Sequence, residues 1–389
     1  MKKTTLILVI SMFALLQTNA QQINYVDTNW KVVVQMAKSS GKYIFIDAYT
    51  EWCGWCKVMD KKTFTDSKVI ELMNGKFIPL KMDMETGFGI DMARKFGVSG
   101  FPTFLIFNSE GRLVYRVTGF QEAPDFLASL SASMDPAIEG QYKGISSEIH
   151  LDFPQFYKDA FGGKKVSKYP TADKVDDYLK TQDDLTSEIN WRVMSRFTTS
   201  DNINKRFFEL IDIYRSLYGD EVDEKINDII HLKISAAKKN NDASGIQEAS
   251  QMIDTYYKGD KETMKRHMML EFYSATKKWG EFAHEFENYL AISQYNDLST
   301  VNSYCWQLYE DCDDKDLISK SCTWMQEVTN RDPQYMYLDT YAALLYKARN
   351  KEEAIKVAKT AIETGKKNKE DVKSTEELLL QMEGQPAKK

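Results

Sequence analysis

Between Asn24 and Met134, short apolar runs alternate with stretches of helical period. The run Tyr43–Tyr49 (YIFIDAY) follows Ser39-Ser40-Gly41-Lys42 and predicts a buried strand. Phe77–Asp83 predicts a second strand. Thr103–Asn108 and Arg112–Thr118 predict two more, joined through Ser109-Glu110-Gly111 as a hairpin. Helices are expected over Gly54–Phe64, Ser67–Met73 and Ile90–Phe96, the last closed by Gly97. A final amphipathic helix, Ala123–Met134, turns Phe126, Leu127 and Leu130 inward. Strands that alternate with helices and then form a hairpin imply an α/β domain with a central mixed sheet flanked by helices. This domain is assigned residues 21–137.

The texture changes after Asp135-Pro136, where strand-like runs stop. Phe207, Leu210, Ile211, Tyr214, Leu217 and Tyr218 make one helical stripe that ends at Gly219. Similar stripes continue to the C-terminus, so residues 138–389 are expected to be all-α. Within Leu338–Lys366, Leu338, Tyr341, Ala342 and Leu345 are followed by Ala354, Ala358 and Ala361 across Asn350-Lys351-Glu352-Glu353. That spacing resembles a tetratricopeptide repeat. Val301–Pro333 matches more loosely, with an insertion around Asp311–Lys315, so residues 301–366 carry the clearest repeats. A further hairpin is expected over Thr263–Ile292. Tyr142–Pro170 reads as linker plus a first helix.

Residues 1–20 change the expected location. Lys2 and Lys3 precede an apolar stretch, Leu6–Leu16, and Thr18-Asn19-Ala20 offers a small residue for cleavage before Gln21, the pattern of a secretory signal. The stretch is short for a bilayer span, and no insertion in the membrane is expected once the signal is removed. Its removal takes away two lysines and no acid, moving formal charge from −6 to −8. A mildly acidic chain without a basic stripe has no electrostatic case for nucleic acid. The expected location is the periplasm, with secretion as the alternative. Gly384–Lys389 reads as a disordered tail.

The five cysteines are too few to staple a chain of 389 residues. Two of them, however, form Glu51-Trp52-Cys53-Gly54-Trp55-Cys56-Lys57, at the hand-over from a buried strand to a helix. The partial positive charge and free N–H groups of a helix N-terminus stabilise a thiolate, the reactive form of cysteine. Two intervening residues let Cys56 resolve a mixed disulfide formed by Cys53, which is expected to be the exposed sulfur. A zinc site would need further ligands, and the four histidines (His150, His231, His267, His284) all lie outside the domain. A purely structural bridge is the other alternative.

The motifs around this pair resemble the thioredoxin superfamily over roughly Asn29–Met134. Asp47, ahead of Cys53 on the buried strand, matches the family's buried aspartate, and Lys81 in Lys81-Met82-Asp83 matches its lysine partner. Gly100-Phe101-Pro102-Thr103 matches the loop whose proline is cis in the family, and Gly119 the glycine near the substrate groove. Phe64-Thr65-Asp66-Ser67 is more similar to the C-terminal domain of the DsbD membrane disulfide reductases than to small thioredoxins. The resemblance implies thiol–disulfide exchange with no cofactor beyond the redox-active Cys53–Cys56 pair. It implies proton handling by Asp47 and Lys81, and substrate contact at Trp52, Trp55, Gly100, Phe101, Pro102 and Gly119. Gly54-Trp55 replaces the Gly-Pro of small thioredoxins, so the direction of electron flow does not carry over, and Phe101 is bulkier than the family's branched residue.

The resulting expectation is an exported thiol–disulfide oxidoreductase. It would reduce disulfides of exported proteins, draw electrons from a membrane thiol reductant, and use its helical domain to bind substrates or partners. The alternative makes the helical repeats an adaptor or chaperone with a secondary redox domain. Cys305 falls at a small-residue position of a repeat helix. On one helix Cys305 and Cys312 would lie roughly 10 Å apart, too far to bridge. A Cys312–Cys322 bridge stays open.

Overall fold

The computed structural model describes residues 22–165, 169–293 and 296–384. The expected signal, residues 1–20, and all of the expected tail except Gly384 lie outside them. The described chain forms two compact units, residues 1–225 and 226–389.

The first unit is built on a four-stranded sheet of order β2-β1-β3-β4. Strand β1 (Tyr43–Tyr49) pairs parallel to β2 (Phe77–Asp83) and antiparallel to β3 (Thr103–Phe107), which pairs antiparallel with β4 (Leu113–Thr118). The strands lie within one residue of their sequence-based limits, because each is an apolar run bounded by polar or glycine residues. Helices α1 (Trp30–Ser40), α2 (Gly54–Lys61), α3 (Ser67–Lys76), α4 (Gly87–Phe96) and α5 (Ala123–Ala132) complete the domain. Helix α1, which the sequence pattern did not single out, is capped by the Asn29 side chain and stopped by Gly41 at φ 67°. Helix α2 ends at Lys61 rather than Phe64, with Thr63–Thr65 forming a separate 3-10 turn.

Alternation along β1 separates two faces. Phe45 packs with Phe104, Phe77 and Phe126, and the same cluster takes in Met59 of α2. Asp47 shares that face of β1, two residues on, and register places it directly opposite Lys81 of β2. A carboxylate is thereby held below the helix that carries the cysteines.

Among the described residues fourteen α-helices follow. Of these, α6 (Gln155–Ala160), α7 (Ala172–Lys180), α8 (Glu188–Arg196), α9 (Asp201–Glu209) and α10 (Ile211–Tyr218) belong to the first unit, as does the start of α11 (Glu221–Asn240). The stripe from Phe207 to Tyr218 is two helices, not one: Leu210, at φ −108° and ψ 13°, breaks it. These helices pack on the sheet domain through buried ionic contacts. Glu221 takes Arg192 at 2.6 Å and Arg116 of β4 at 3.3 Å, and accepts a hydrogen bond from the Trp191 indole at 3.1 Å. Fully buried Lys95 of α4 pairs with Glu188 of α8. Among the described residues, those of the first unit after the α/β domain thus pack against it, and the stretch expected as linker plus a first helix, Tyr142–Pro170, carries α6.

The second unit contains the rest of α11 and helices α12 (Ala243–Tyr256), α13 (Lys261–Ala275), α14 (Trp279–Ser293), α15 (Leu298–Asp311), α16 (Lys315–Arg331), α17 (Tyr335–Lys347), α18 (Lys351–Asn368) and α19 (Lys373–Glu383). Helices α17 and α18 form a tight hairpin in which Ala342, Ala354, Ala358 and Ala361 are fully buried. Small side chains at those places let the helices approach closely, and the shared core runs back through α15 and α16 to α14.

Candidate active site

Cys53 is the N-cap of α2. Its backbone is extended, its Sγ accepts a hydrogen bond from Cys56 N at 3.0 Å, and no acidic residue occupies the first turn. A sulfur so placed receives both an N–H donor and the positive end of the helix, the setting that favours thiolate. Cys53 and Cys56 are disulfide-bonded. Cys53, expected to be exposed, is 3% exposed in this oxidised form and Cys56 4%. Forming the S–S bond removes surface from both sulfurs.

The three other cysteines are free and occupy the opposite setting. Burial pushes the thiol of Cys322 up to about 11 and raises Cys305 and Cys312 as well. Thiols held neutral in helical cores are poor nucleophiles.

Asp47 is 1% exposed, and its Oδ2 lies 3.5 Å from Lys81 Nζ while accepting no hydrogen bond among the described residues. The lysine is shared: Asp60, on the next turn of α2 after Cys56, pairs with it more tightly than Asp47 does. Burial pushes the Asp47 carboxyl up to about 7; Lys81 opposes the rise and Asp60 adds to it. A carboxyl that titrates near neutrality can both take and return a proton. Lys81 also lies 5.3 Å from the ring of Tyr49 and 6.0 Å from that of Tyr25. Burial, then Asp47 and Asp60, hold the Tyr25 phenol well above its usual range, and its hydroxyl has no hydrogen-bond partner among the described residues.

The loops carrying Phe101 and Phe120, whose rings touch Trp52 and Trp55 on either side of Cys53, are tied together. The Phe101–Pro102 peptide is cis. Gly119 N donates to Pro102 O at 2.8 Å, and Gly119 sits at φ 106°, a conformation that side chains disfavour. Thr103 Oγ1 donates to Gly100 O at 2.8 Å and lies 2.9 Å from Thr118 Oγ1. Gly100, Phe101, Pro102 and Gly119 are therefore brought into one rim. The flanking tryptophans remain open, Trp52 at 66% and Trp55 at 61%. Trp52 stands edge-on to Phe101, with ring centroids 5.8 Å apart, and its indole N–H donates to Glu85 at 3.1 Å. Trp55 leans on Phe120 with ring centroids 5.3 Å apart.

Sequence reasoning missed Asp60, Glu85, Phe120 and Tyr25. Asp60 could have been found, because a residue four beyond Cys56 shares its helix face. The other three reach the site only through tertiary packing. Among the described residues no group of His, Cys, Asp and Glu stands ready to hold a metal ion. No helix among them is long and apolar enough to cross a membrane.

A sheet with this order, a CxxC disulfide at a helix N-terminus and a cis-proline loop beside it define a thioredoxin-like domain. The thioredoxin-like domain family matches residues 30–133, so that segment is a thioredoxin-like domain. Its relatives include the thiol:disulfide interchange protein DsbD of Yersinia pestis, 37% identical over 98 residues, covering 24% of this chain and 16% of the relative. DsbD of Ralstonia nicotianae is 33% identical over 107 residues, covering 27% of this chain and 17% of the relative. This chain thus spans about a sixth of the DsbD proteins it matches. A candidate disulphide-isomerase from Bacteroides thetaiotaomicron, solved in solution, is 37% identical over 30% of this chain and 97% of its own, with a TM-score of 0.29. The matched domain and its CxxC pair support thiol–disulfide oxidoreductase chemistry.

Proposed function

We propose that this protein is an exported thiol–disulfide oxidoreductase that reduces disulfides of exported proteins. The observation that carries the reading is the Cys53–Cys56 disulfide capping α2, with the buried, loosely paired carboxyl of Asp47 on the strand below. In the reduced protein the Cys53 thiolate attacks one sulfur of a substrate disulfide. A Cys53–substrate disulfide forms, and the first substrate sulfur leaves as thiolate and takes up a proton. Cys56 gives its proton to the Asp47 carboxylate and attacks Cys53 Sγ. The second substrate sulfur leaves, and Asp47 returns a proton to solvent or to that thiolate. Two electrons pass from the dithiol to the substrate.

The disulfide left behind must be reduced again. The similarity to DsbD supports a membrane thiol reductant as the donor. Export rests on the signal-like residues 1–20. In this reading the helices of residues 226–389 bind substrate or partner, since stacked hairpins present extended surfaces for proteins. Replacing both Cys53 and Cys56 separates this from an adaptor role: an adaptor would keep most of its cellular function, and an oxidoreductase would lose it.

The direct test is the reduction potential of the Cys53–Cys56 pair in defined thiol buffers, read by Trp52 and Trp55 fluorescence. A value near about −270 mV supports the reductase, and one near about −120 mV makes the protein an oxidant instead. A pair that does not cycle ends the enzymatic reading.

A further inference from the structure

The rim of the site is not made by the thioredoxin-like domain alone. On the Trp52 side a cleft of about 220 Å³ opens between that domain and the turn after α6. Met84 and Val98 lie in its floor, Trp52 and Phe101 form one wall, and Phe161 and Tyr169 form the other. Phe161 is buried, whereas Tyr169 leaves 61% of its surface free and Trp52 66%. Both walls therefore present aromatic surface left open among the described residues.

The outer wall is fixed to the inner one. Gly163 sits at φ 74°, and a Cβ there would lie 2.5 Å from the carbonyl oxygen of Glu85, so only glycine allows this approach. Glu85 is the residue whose side chain holds the Trp52 indole. Beside it, Lys164 pairs at 2.6 Å with Glu51, next to Trp52 in the chain. This surface ion pair adds little stability and cancels the two charges at the outer edge, so Glu85, held by the indole, is the one carboxylate among the lining residues. The rest of the lining is neutral and largely apolar, so selection there acts mainly through shape and apolar contact.

Given the oxidoreductase reading, on which this depends, the geometry points to a specificity subsite in this cleft for one aromatic side chain of the substrate protein. That side chain would flank the cysteine joined to Cys53. An apolar cavity of about 150 Å³ already admits a benzene ring, so the size fits. The cleft is continuous with Trp52 and Phe101 at the disulfide, so its occupant belongs to the chain being reduced. Phe161 and Tyr169, which lie outside residues 30–133, are the determinants that set this protein apart from a free thioredoxin-like domain.

The test uses the reduced full-length chain and cysteine peptides capped as mixed disulfides with glutathione. Phe or Ala is placed in turn at each of the two positions on either side of the cysteine. At one position or more, the Phe peptide should be reduced about tenfold more efficiently in kcat/KM, with the difference mainly in KM. Tyr169→Ala should lower that ratio toward one, and Phe161→Leu should do the same. Tyr169 is exposed, so its variant tests the subsite without disturbing the core. Equal rates for Phe and Ala peptides at every position, or a ratio unchanged in both variants, would overturn the subsite and leave the oxidoreductase reading standing. Failure to reduce any peptide would overturn both.

Discussion

Two of the carboxylates buried in the first unit, Asp47 and Glu221, are treated in opposite ways. Asp47 has one cation nearby, and that cation is shared with Asp60; burial prevails and its carboxyl rises to about 7. Burial opposes ionisation of Glu221 as well, yet Arg192, Arg116 and Arg196 together bring it down to about 2. The number and commitment of the neighbouring cations decide the outcome, because burial is common to both. Glu221 is locked as an anion and ties helices to sheet. Asp47 is left able to change charge at working pH, which suits a proton carrier and would be a poor tie.

The contrast breaks most visibly at Glu221. Glu221→Gln leaves the surrounding guanidinium groups uncompensated in the core and should cost about 3–5 kcal/mol, read as a lower urea midpoint. The wild-type contribution should be complete above about pH 4.5 and fade as pH falls toward about 2, the window set by the depressed carboxyl. An unchanged midpoint in Glu221→Gln would mean that the ring of arginines does not need the charge.

Asp47→Asn should act in the reverse sense on stability and strongly on turnover. Removing the base should slow resolution by about a hundredfold above pH 7, and the deficit should shrink as pH falls and wild-type Asp47 becomes protonated. A carboxyl raised in the folded state lowers stability as pH climbs from its ordinary value toward about 7. Asp47→Asn should therefore be more stable than wild type at pH 8, by up to a few kcal/mol, and nearly equal to it at pH 4. A variant less stable at pH 8 would show that the Lys81 contact outweighs burial.

How much of this was legible in the chain follows the same division. Asp47 and Lys81 were found because both match motifs of the thioredoxin resemblance, the first on an apolar strand ahead of Cys53; the register of β1 on β2 then sets them opposite each other. Glu221 was invisible. Its partners Arg116 and Arg192 come from a distant strand and another helix, and no periodicity marks a glutamate at a helix start as buried. The four strands were legible because each is an apolar run bounded by polar or glycine residues. Helix α1 and the break at Leu210 were not, since one depends on an Asn cap and the other interrupts an unbroken apolar stripe.

Finer adjustments should sharpen the comparison. Asp60→Asn returns Lys81 to Asp47, so the midpoint of the pH–rate profile should move down by up to about one unit. A midpoint that stays in place would remove Asp60 from the proton network. The smallest effect is expected at Tyr25, whose hydroxyl is buried and unpartnered among the described residues. Tyr25→Phe should be neutral or stabilising by about 1 kcal/mol in thermal or urea unfolding, and a loss would reveal a partner for the hydroxyl.

Arg116 stands on the last strand of the sheet, and Glu221, which neutralises it, begins a helix more than a hundred residues further along the chain. The redox domain is therefore not a portable cassette. Transplanted alone, residues 30–133 would carry an arginine and a lysine shaped for counter-ions left with the donor. The remnant would keep a buried glutamate deprived of part of its shell. Recombination that moves residues 30–133 as a module would break both pairs at this joint.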